Sequence, residues 1–488
     1  MPERNDVTWN TLISAYLDGH YTEYAINLFI EMQSLGVLLS PFSLSGALVA
    51  CVQLEEDALG EQVHCLSLKL GLDCDVVVGT GLIDMYAKCG DVVASRRVFD
   101  QLRNKSVMCW SSMVSAYSRN DCLDEAMVML RGMLRESNRP FNLTYNNLLS
   151  SCCCPVDLPI CNEIHSLIIK EGFESDTYVV VTLLIAYSEC FCSIEDFYKV
   201  CFSLTEWDQV AWNAVIAGFS NLGIGDEAVK CFSRMREAGI SVDYFTFSSV
   251  ITSLGTMLAI EEGTQIHGLI FKTGNDLNIY VLNSLVSMYA RCDRIEEAKK
   301  VFFSMQKHDV ISWNGLLSGC AYHGYTREVV EIFEKMRRSV VKPNPTTFLI
   351  VLSACSHGGL LDDGLRYFDL MVKDESLTRP KLEHYACVVD LYGRAGYLDI
   401  ADSFINSMPI DPGPYVFKTL LSACQIHGNR EIAERCARKL LELCPTDPAS
   451  YVLLANVLST EGNWHDAAEI RKVMMEKGAT KQPGCSWI

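Results

Sequence analysis

Trp9-Asn10-Thr11-Leu12-Ile13-Ser14-Ala15-Tyr16 returns as Trp110-Ser111-Ser112-Met113-Val114-Ser115-Ala116-Tyr117. It returns again as Trp212-Asn213-Ala214-Val215-Ile216-Ala217-Gly218-Phe219 and as Trp313-Asn314-Gly315-Leu316-Leu317-Ser318-Gly319-Cys320. The tryptophans stand 101, 102 and 101 residues apart, and a spacing held that closely marks an internal repeat. Other landmarks keep the step. His64, His165 and His267 each follow Ile or Val and precede x-Leu, 101 and 102 residues apart. Leu82-Ile83-Asp84-Met85-Tyr86 recurs as Leu183-Leu184-Ile185-Ala186-Tyr187, as Leu285-Val286-Ser287-Met288-Tyr289 and as Val388-Val389-Asp390-Leu391-Tyr392. Each period therefore holds three sub-units of 35, 35 and 31 residues, each the length of a helix pair.

The first full unit shows why. Leu12, Ile13 and Tyr16 share one face of a helix that Gly19 breaks. Thr22 suits the N-cap of a second helix. Ala25, Leu28, Phe29 and Met32 then follow the spacing of one buried face, and Gly36 suits the C-terminal turn. Two short helices with one apolar face each must stack on neighbours. The same pattern starts units at 6, 41, 76, 107, 142, 177, 209, 244, 279, 310, 345 and about 382. After Pro412 the Trp-Asn motif stops, although 413–447 and 448–478 still pattern as helix pairs, and 481–488 reads as an extended tail. The chain opens on Met1-Pro2-Glu3-Arg4-Asn5, comparable to Gln101-Leu102-Arg103-Asn104-Lys105-Ser106, the tail of a repeat. Residues 1–5 are thus expected to be the remnant of a preceding repeat, with no targeting peptide in this chain.

Length alone would suggest about three domains of ordinary size. The repeats overrule that, because stacked units share one continuous core. Hydrophobic content of 49% against 21% charged residues excludes a disordered chain. No apolar run approaches the ~18 residues of a membrane helix. Of the 22 cysteines, Cys51, Cys355 and Cys424 follow Ala at equivalent positions, and Cys89 and Cys292 recur in Lys/Arg-Cys-Gly/Asp contexts. That is the placement of small buried hydrophobes in a reducing compartment. The run Cys152-Cys153-Cys154 and the pair Cys190/Cys192 lack zinc spacing, so no metal and no cofactor is expected. The net charge of −19 argues against a bulk electrostatic grip on nucleic acid, and no DNA partner is expected. The charge is uneven: 413–488 is close to neutral at +1, and the rest carries −20.

Three segments carry a family resemblance. Val7-Thr8-Trp9-Asn10, Leu82-Ile83-Asp84-Met85-Tyr86-Ala87-Lys88-Cys89-Gly90 and Ile266-His267-Gly268-Leu269-Ile270-Phe271-Lys272-Thr273-Gly274 resemble pentatricopeptide repeat proteins of plants. The 35/35/31 cycle is similar to their subclass with alternating P, L and S motifs. Phe348 to Leu360 and His384 to Gly396 resemble its last L and S motifs, and 413–488, closing on Pro483-Gly484-Cys485-Ser486-Trp487-Ile488, resembles its E-type extension. The resemblance implies an all-α, right-handed α-α superhelical solenoid, with about twelve motifs over 6–412 and the extension over 413–488. It also implies recognition of single-stranded RNA at about one base per repeat.

By that resemblance, the fifth and last residues of a repeat choose the base. Asn213 with Asp243 and Asn283 with Asp309 would favour U. Asn10 with Ser40 and Asn314 with Asn344 would favour C or U, and Thr80 with Ser106 a purine. Asn146 with Asp176 and Ser248 with Asn278 are the L-type candidates. Val7, Val77, Val210 and Ile311, in second position, would clamp base faces. Phe141 and Val181 depart from the pattern, standing where polar residues are expected. The implied role is organellar, with the mitochondrion put before the chloroplast: a factor that positions a transcript for C-to-U editing and recruits a deaminase in trans through 413–488. A factor that stabilises or processes transcripts, and a protein-binding scaffold, are the alternatives.

Plainer readings stand beside these. The four tryptophans at helical spacing are core residues before they are stacking platforms. The three histidines recur too regularly for a catalytic set and suit inter-helix packing. Asn10, Asn213, Asn283 and Asn314 also suit helix starts. No His is followed two residues later by Glu, and no Cys-x-x-Cys occurs, so the zinc deaminase signature is missing. No phosphate-binding glycine loop occurs either, and the chain is not expected to be an enzyme.

Overall fold

A computed structural model describes residues 5–54, 56–275, 277–373, 379–445, 447–460 and 462–479. Among them are 28 α-helices and one short 3-10 turn, with no strand. The fold is an all-α helical-repeat solenoid. The first helices of the repeat pairs begin at Asp6, Pro41, Val76, Val107, Asn142, Thr177, Gln209, Tyr244, Ile279, Val310, Pro345 and Leu382, the positions at which the sequence periodicity starts its units. Four more helices, Pro414–His427, Arg430–Leu443, Pro448–Thr460 and Trp464–Glu476, continue the paired pattern. No helix of the described residues is long and apolar enough to cross a membrane.

The chain divides into two compact units, Met1–Val242 and Asp243–Ile488. Within each, the first helix of a pair packs against the first helix of the next, while second helices pack chiefly against first helices. The first helices thus form a continuous row in each unit, with the second helices behind it.

Side chains of the repeated motif fill the interior. Trp9, Trp110, Trp212 and Trp313 are all buried. Trp110 meets Phe99 edge-on at 4.8 Å, and Trp313 meets Phe302 in the same way. The tryptophans are packing residues. Cys51, Cys355 and Cys424 are buried too, and burial pushes their thiols up to about 11, 12 and 12. Cys89 and Cys292 are half-buried. All cysteines among the described residues are free. His64, His165 and His267 bond through Nδ1 to the hydroxyls of Tyr86, Tyr187 and Tyr289 at 2.8, 2.9 and 2.9 Å, and each bond ties a second helix to the next first helix.

The first unit departs from its sequence reading in detail. Trp9, Ile13 and Leu17 form the buried stripe of Asp6–Asp18. Leu12 and Tyr16 are exposed instead, and Tyr16 stacks on Tyr24 with ring centroids 5.9 Å apart. The matching Met113, Val215 and Leu316 of later repeats are buried. Thr22 does not cap helix Thr22–Ser34; it lies inside and donates to Gln53 Oε1 at 2.7 Å. Leu35 holds the C-cap, and Gly36 follows at φ +70°, where a glycine is free of side-chain strain. Residues 1–4 of the expected N-terminal remnant, and the closing 480–488, lie outside the described residues.

Candidate nucleic-acid interface

The last residue of each repeat is the N-cap of the next first helix. Ser106, Asp176, Asp243, Asn278, Asp309 and Asn344 each accept a backbone N–H from the first turn that follows. A capping side chain is held in one place by that bond. This overturns the plain reading of Asn10, Asn213, Asn283 and Asn314 as helix-start residues. They lie inside the first helices, and Asn5, Asp208, Asn278 and Asp309 cap those helices in their place.

At three repeats the fifth residue reaches the last residue of the same repeat directly. Asn10 Nδ2 donates to Ser40 Oγ at 3.0 Å. Asn283 Nδ2 donates to Asp309 Oδ1 at 3.2 Å, and Asn314 Nδ2 to Asn344 Oδ1 at 3.3 Å. Thr80 and Ser106 meet through the Cys109 thiol, 3.0 Å from the first hydroxyl and 3.3 Å from the second. The L-type pairs are not joined. Asp176 instead takes Asn142 Nδ2 at 3.1 Å, and Asn146 Oδ1 is buried without a hydrogen-bond partner. Ser248 Oγ is likewise buried without one, while Asn278 accepts from the Tyr280 and Val281 amides. Asn213 belongs to the first compact unit and Asp243 to the second; both are half-buried.

A third set of residues was not singled out from the sequence. The third residue of several repeats is a fully buried hydroxyl: Ser43, Thr144, Thr246, Ser312 and Thr347. Ser312 Oγ donates to Asn283 Oδ1 at 2.6 Å, and Thr347 Oγ1 donates to Asn314 Oδ1 at 2.7 Å. A hydroxyl donating to Oδ1 fixes which end of the amide is oxygen. Their signal in the sequence was a small polar residue three places after each cap, inside an otherwise apolar run.

The second positions complete the row. Val7, Val210 and Ile311 are exposed, while Val77 is half-buried. Phe42, Met108, Leu143, Tyr178, Phe245 and Tyr280, which occupy the same position, are 56 to 75% exposed. Residues two and five lie three apart, on one face of a helix. At Val7 with Asn10, Val210 with Asn213 and Ile311 with Asn314 a first helix presents an exposed apolar side chain beside a half-buried polar one, an arrangement suited to a flat heterocycle with a hydrogen-bonding edge; Tyr178 is followed instead by the buried Val181. Among the described residues no three His, Cys, Asp or Glu side chains are placed to hold a metal ion.

Sequence comparisons match the same segments. The PPR repeat matches residues 7–37, 80–107, 108–138, 280–310 and 346–376, the PPR repeat family matches 208–256 and 308–357, and the E motif matches 427–488. An Arabidopsis thaliana pentatricopeptide repeat-containing protein named as chloroplastic is 35% identical over 488 residues, covering all of this chain and 60% of the relative. A putative one from the same plant, named as mitochondrial, is 36% identical over 460 residues, covering 94% of this chain and 73% of the relative. The chain spans 60, 58 and 48% of the length of the first three curated relatives it matches. The crystal structure of the maize pentatricopeptide repeat protein PPR10 shares the fold, with a TM-score of 0.50 at 16% identity over 98% of this chain and 80% of the other. With these repeats and an E motif after them, and 36% identity to a relative matched over 73% of its length, the chain belongs to the pentatricopeptide repeat family.

Proposed function

We propose that the chain binds single-stranded RNA by sequence, in an organelle, and marks a site for C-to-U editing by a deaminase supplied in trans. The supporting observation is the repeated geometry of first helices: an exposed apolar second residue, and a fifth-residue amide held by the cap of the next helix, at Asn10, Asn283 and Asn314. In this reading the motifs over 6–412 run in P, L, S order and read about one base each. Asn283 with Asp309 and Asn213 with Asp243 select U, Asn10 with Ser40 and Asn314 with Asn344 take C or U, and Thr80 with Ser106 takes a purine. Asn146 with Asp176 and Ser248 with Asn278 read more loosely, since neither pair is joined. The relatives named as chloroplastic and mitochondrial support an organellar location. The matched E motif supports recruitment through 413–488, and the chain then acts as an adaptor for another protein's chemistry.

The test is binding of the purified chain to an RNA that follows this assignment and to scrambled RNAs of equal composition. Preference for the first by at least tenfold is expected, the size of about 1.4 kcal/mol. Equal binding, or none, rejects the reading. In a null line, loss of editing at one or a few sites is expected across the organellar transcripts. Unchanged editing with altered transcript ends would replace it with a stabilising or processing role. Editing retained by a chain ending at Pro412 would remove the recruitment step.

A further inference from the structure

A cavity of about 580 Å3 lies between second helices Thr326–Arg337 and Leu361–Lys373, away from the row of first helices. Four cations line it: Arg337, Arg338, Arg366 and Lys373. Among the described residues two carboxylates, Glu334 and Asp369, line it, in a chain that carries −19 overall. Both are already engaged. Glu334 accepts from Arg337 Nη1 at 3.1 Å and from the Tyr367 hydroxyl at 3.1 Å, and Asp369 pairs with Lys373 Nζ at 2.5 Å. Arg366 is held in place. Its guanidinium carbon stands 4.8 Å from the centroid of the Tyr367 ring, and its Nη2 donates to the Tyr367 hydroxyl at 2.8 Å and meets Asp363 at 3.0 Å. Tyr367 itself is buried, edge-on to Phe333 at 4.9 Å, which anchors this wall of the cavity in the core. The Arg338 side chain is exposed and has no hydrogen bond or ion pair among the described residues; only its backbone N–H is engaged, on the Lys335 carbonyl. Its five N–H donors are the unmatched charge of the cleft.

We propose that this cleft docks an acidic peptide segment of a partner protein. Side-chain carboxylates would take the Arg338 guanidinium and the outward N–H groups of Arg337 and Arg366, whose planar forks match a carboxylate two bonds at a time. The cavity's volume is that of a site for a few side chains. A peptide is favoured over RNA on two grounds. The cleft opens among second helices, whereas the exposed second positions and the fifth-position amides lie on first helices. A short acidic segment also brings fewer negative charges against a chain of −19 than a long polyphosphate does. This inference does not rest on RNA recognition and survives its failure.

The test uses the full chain and a fluorescein-labelled hexaglutamate peptide, read by anisotropy at low salt. Arg338→Ala removes a side chain with no internal partner, and Lys335→Ala, on the same helix but outside the cavity, controls for general charge. Binding is expected to weaken about fivefold or more in Arg338→Ala and less than twofold in Lys335→Ala. Equal weakening in both, or no binding of the peptide by the unaltered chain, overturns the proposal. Displacement of the peptide by a single-stranded RNA oligonucleotide that does not bind Arg338→Ala assigns the cleft to RNA and also overturns it.

Discussion

Ser312 Oγ donates to Asn283 Oδ1 at 2.6 Å, across the join between one repeat and the next. The same oxygen of Ser312 lies 2.9 Å from Asp309 Oδ1, and Asp309 receives Asn283 Nδ2 at 3.2 Å. Two side chains, Ser312 and Asp309, therefore fix one amide. Asn283 is buried, so without Ser312 its Oδ1 would lose its donor. Ser312→Ala is expected to cost about 1–2 kcal/mol of stability, the penalty for an unsatisfied buried acceptor. It should also free the amide to flip, and preference for U over other bases at that repeat should fall. Denaturant midpoints and binding to RNAs varied at one position measure the two effects. A stability loss with unchanged base preference would make Ser312 a packing residue alone.

Asp309 carries two duties, capping Val310–Tyr322 and holding Asn283. Asn caps about as well as Asp. Asp309→Asn is therefore expected to leave stability within about 0.5 kcal/mol. It recreates the pairing of Asn314 with Asn344, so acceptance at that repeat should widen from U to C or U. Asp309→Ala should lose about 1 kcal/mol through the cap as well. Equal RNA profiles for the unaltered chain and Asp309→Asn would count against a base-choosing role for the capping position.

The periodic features were legible because they report burial, which repeats with the fold. The tryptophan motif located the core, and each apolar period placed a helix start where the structure has one. The polar details were harder to see. Thr22 has the composition of an N-cap, yet Gln53 in the next repeat's first helix claims its hydroxyl, and sequence spacing does not show a partner 31 residues away. Leu12 continues the apolar stripe of its helix but is exposed, whereas the equivalent Met113, Val215 and Leu316 are buried, a difference that spacing within one helix does not show. The buried hydroxyls of Ser312 and Thr347 look like ordinary helix-start residues until the neighbouring amide is placed beside them.

The His–Tyr links make stability depend on pH. Burial pulls His64, His165 and His267 below the ordinary value of 6.5; nearby Asp73 and Asp196 oppose the shift for the first two, and burial is the sole cause for the third. Folding thus favours the neutral ring. The associated stability is fully present above about 6.5 and is lost as pH falls from there towards the folded value, because the unfolded chain takes up protons first. The melting temperature should fall between pH 7 and pH 5, and replacing all three histidines with Gln should flatten that part of the profile. An unchanged slope in the triple variant would place the acid sensitivity elsewhere.

A size exchange within the repeats offers the last expectation. Gly60 lies so near Met85 that an added Cβ would sit 2.6 Å from its Sδ, and Gly263 has the same relation to Met288 at 2.8 Å. At the equivalent places of the middle period stand Cys161 and Ala186, both buried: the small residue has become larger where the large one has become smaller. In a close-packed interior the sum of the two volumes is what the space admits. Gly263→Ala is expected to cost about 1–3 kcal/mol by overpacking, more than the ~1 kcal/mol gained from better helix propensity. Met288→Ala alone should cost about 2–5 kcal/mol through the cavity it leaves. The double variant should be more stable than the sum of the two losses by about 1 kcal/mol or more, a coupling that a double-mutant cycle in denaturant measures. Additive losses would mean that Met288 simply swings aside, and that the pairing of Cys161 with Ala186 has no steric cause.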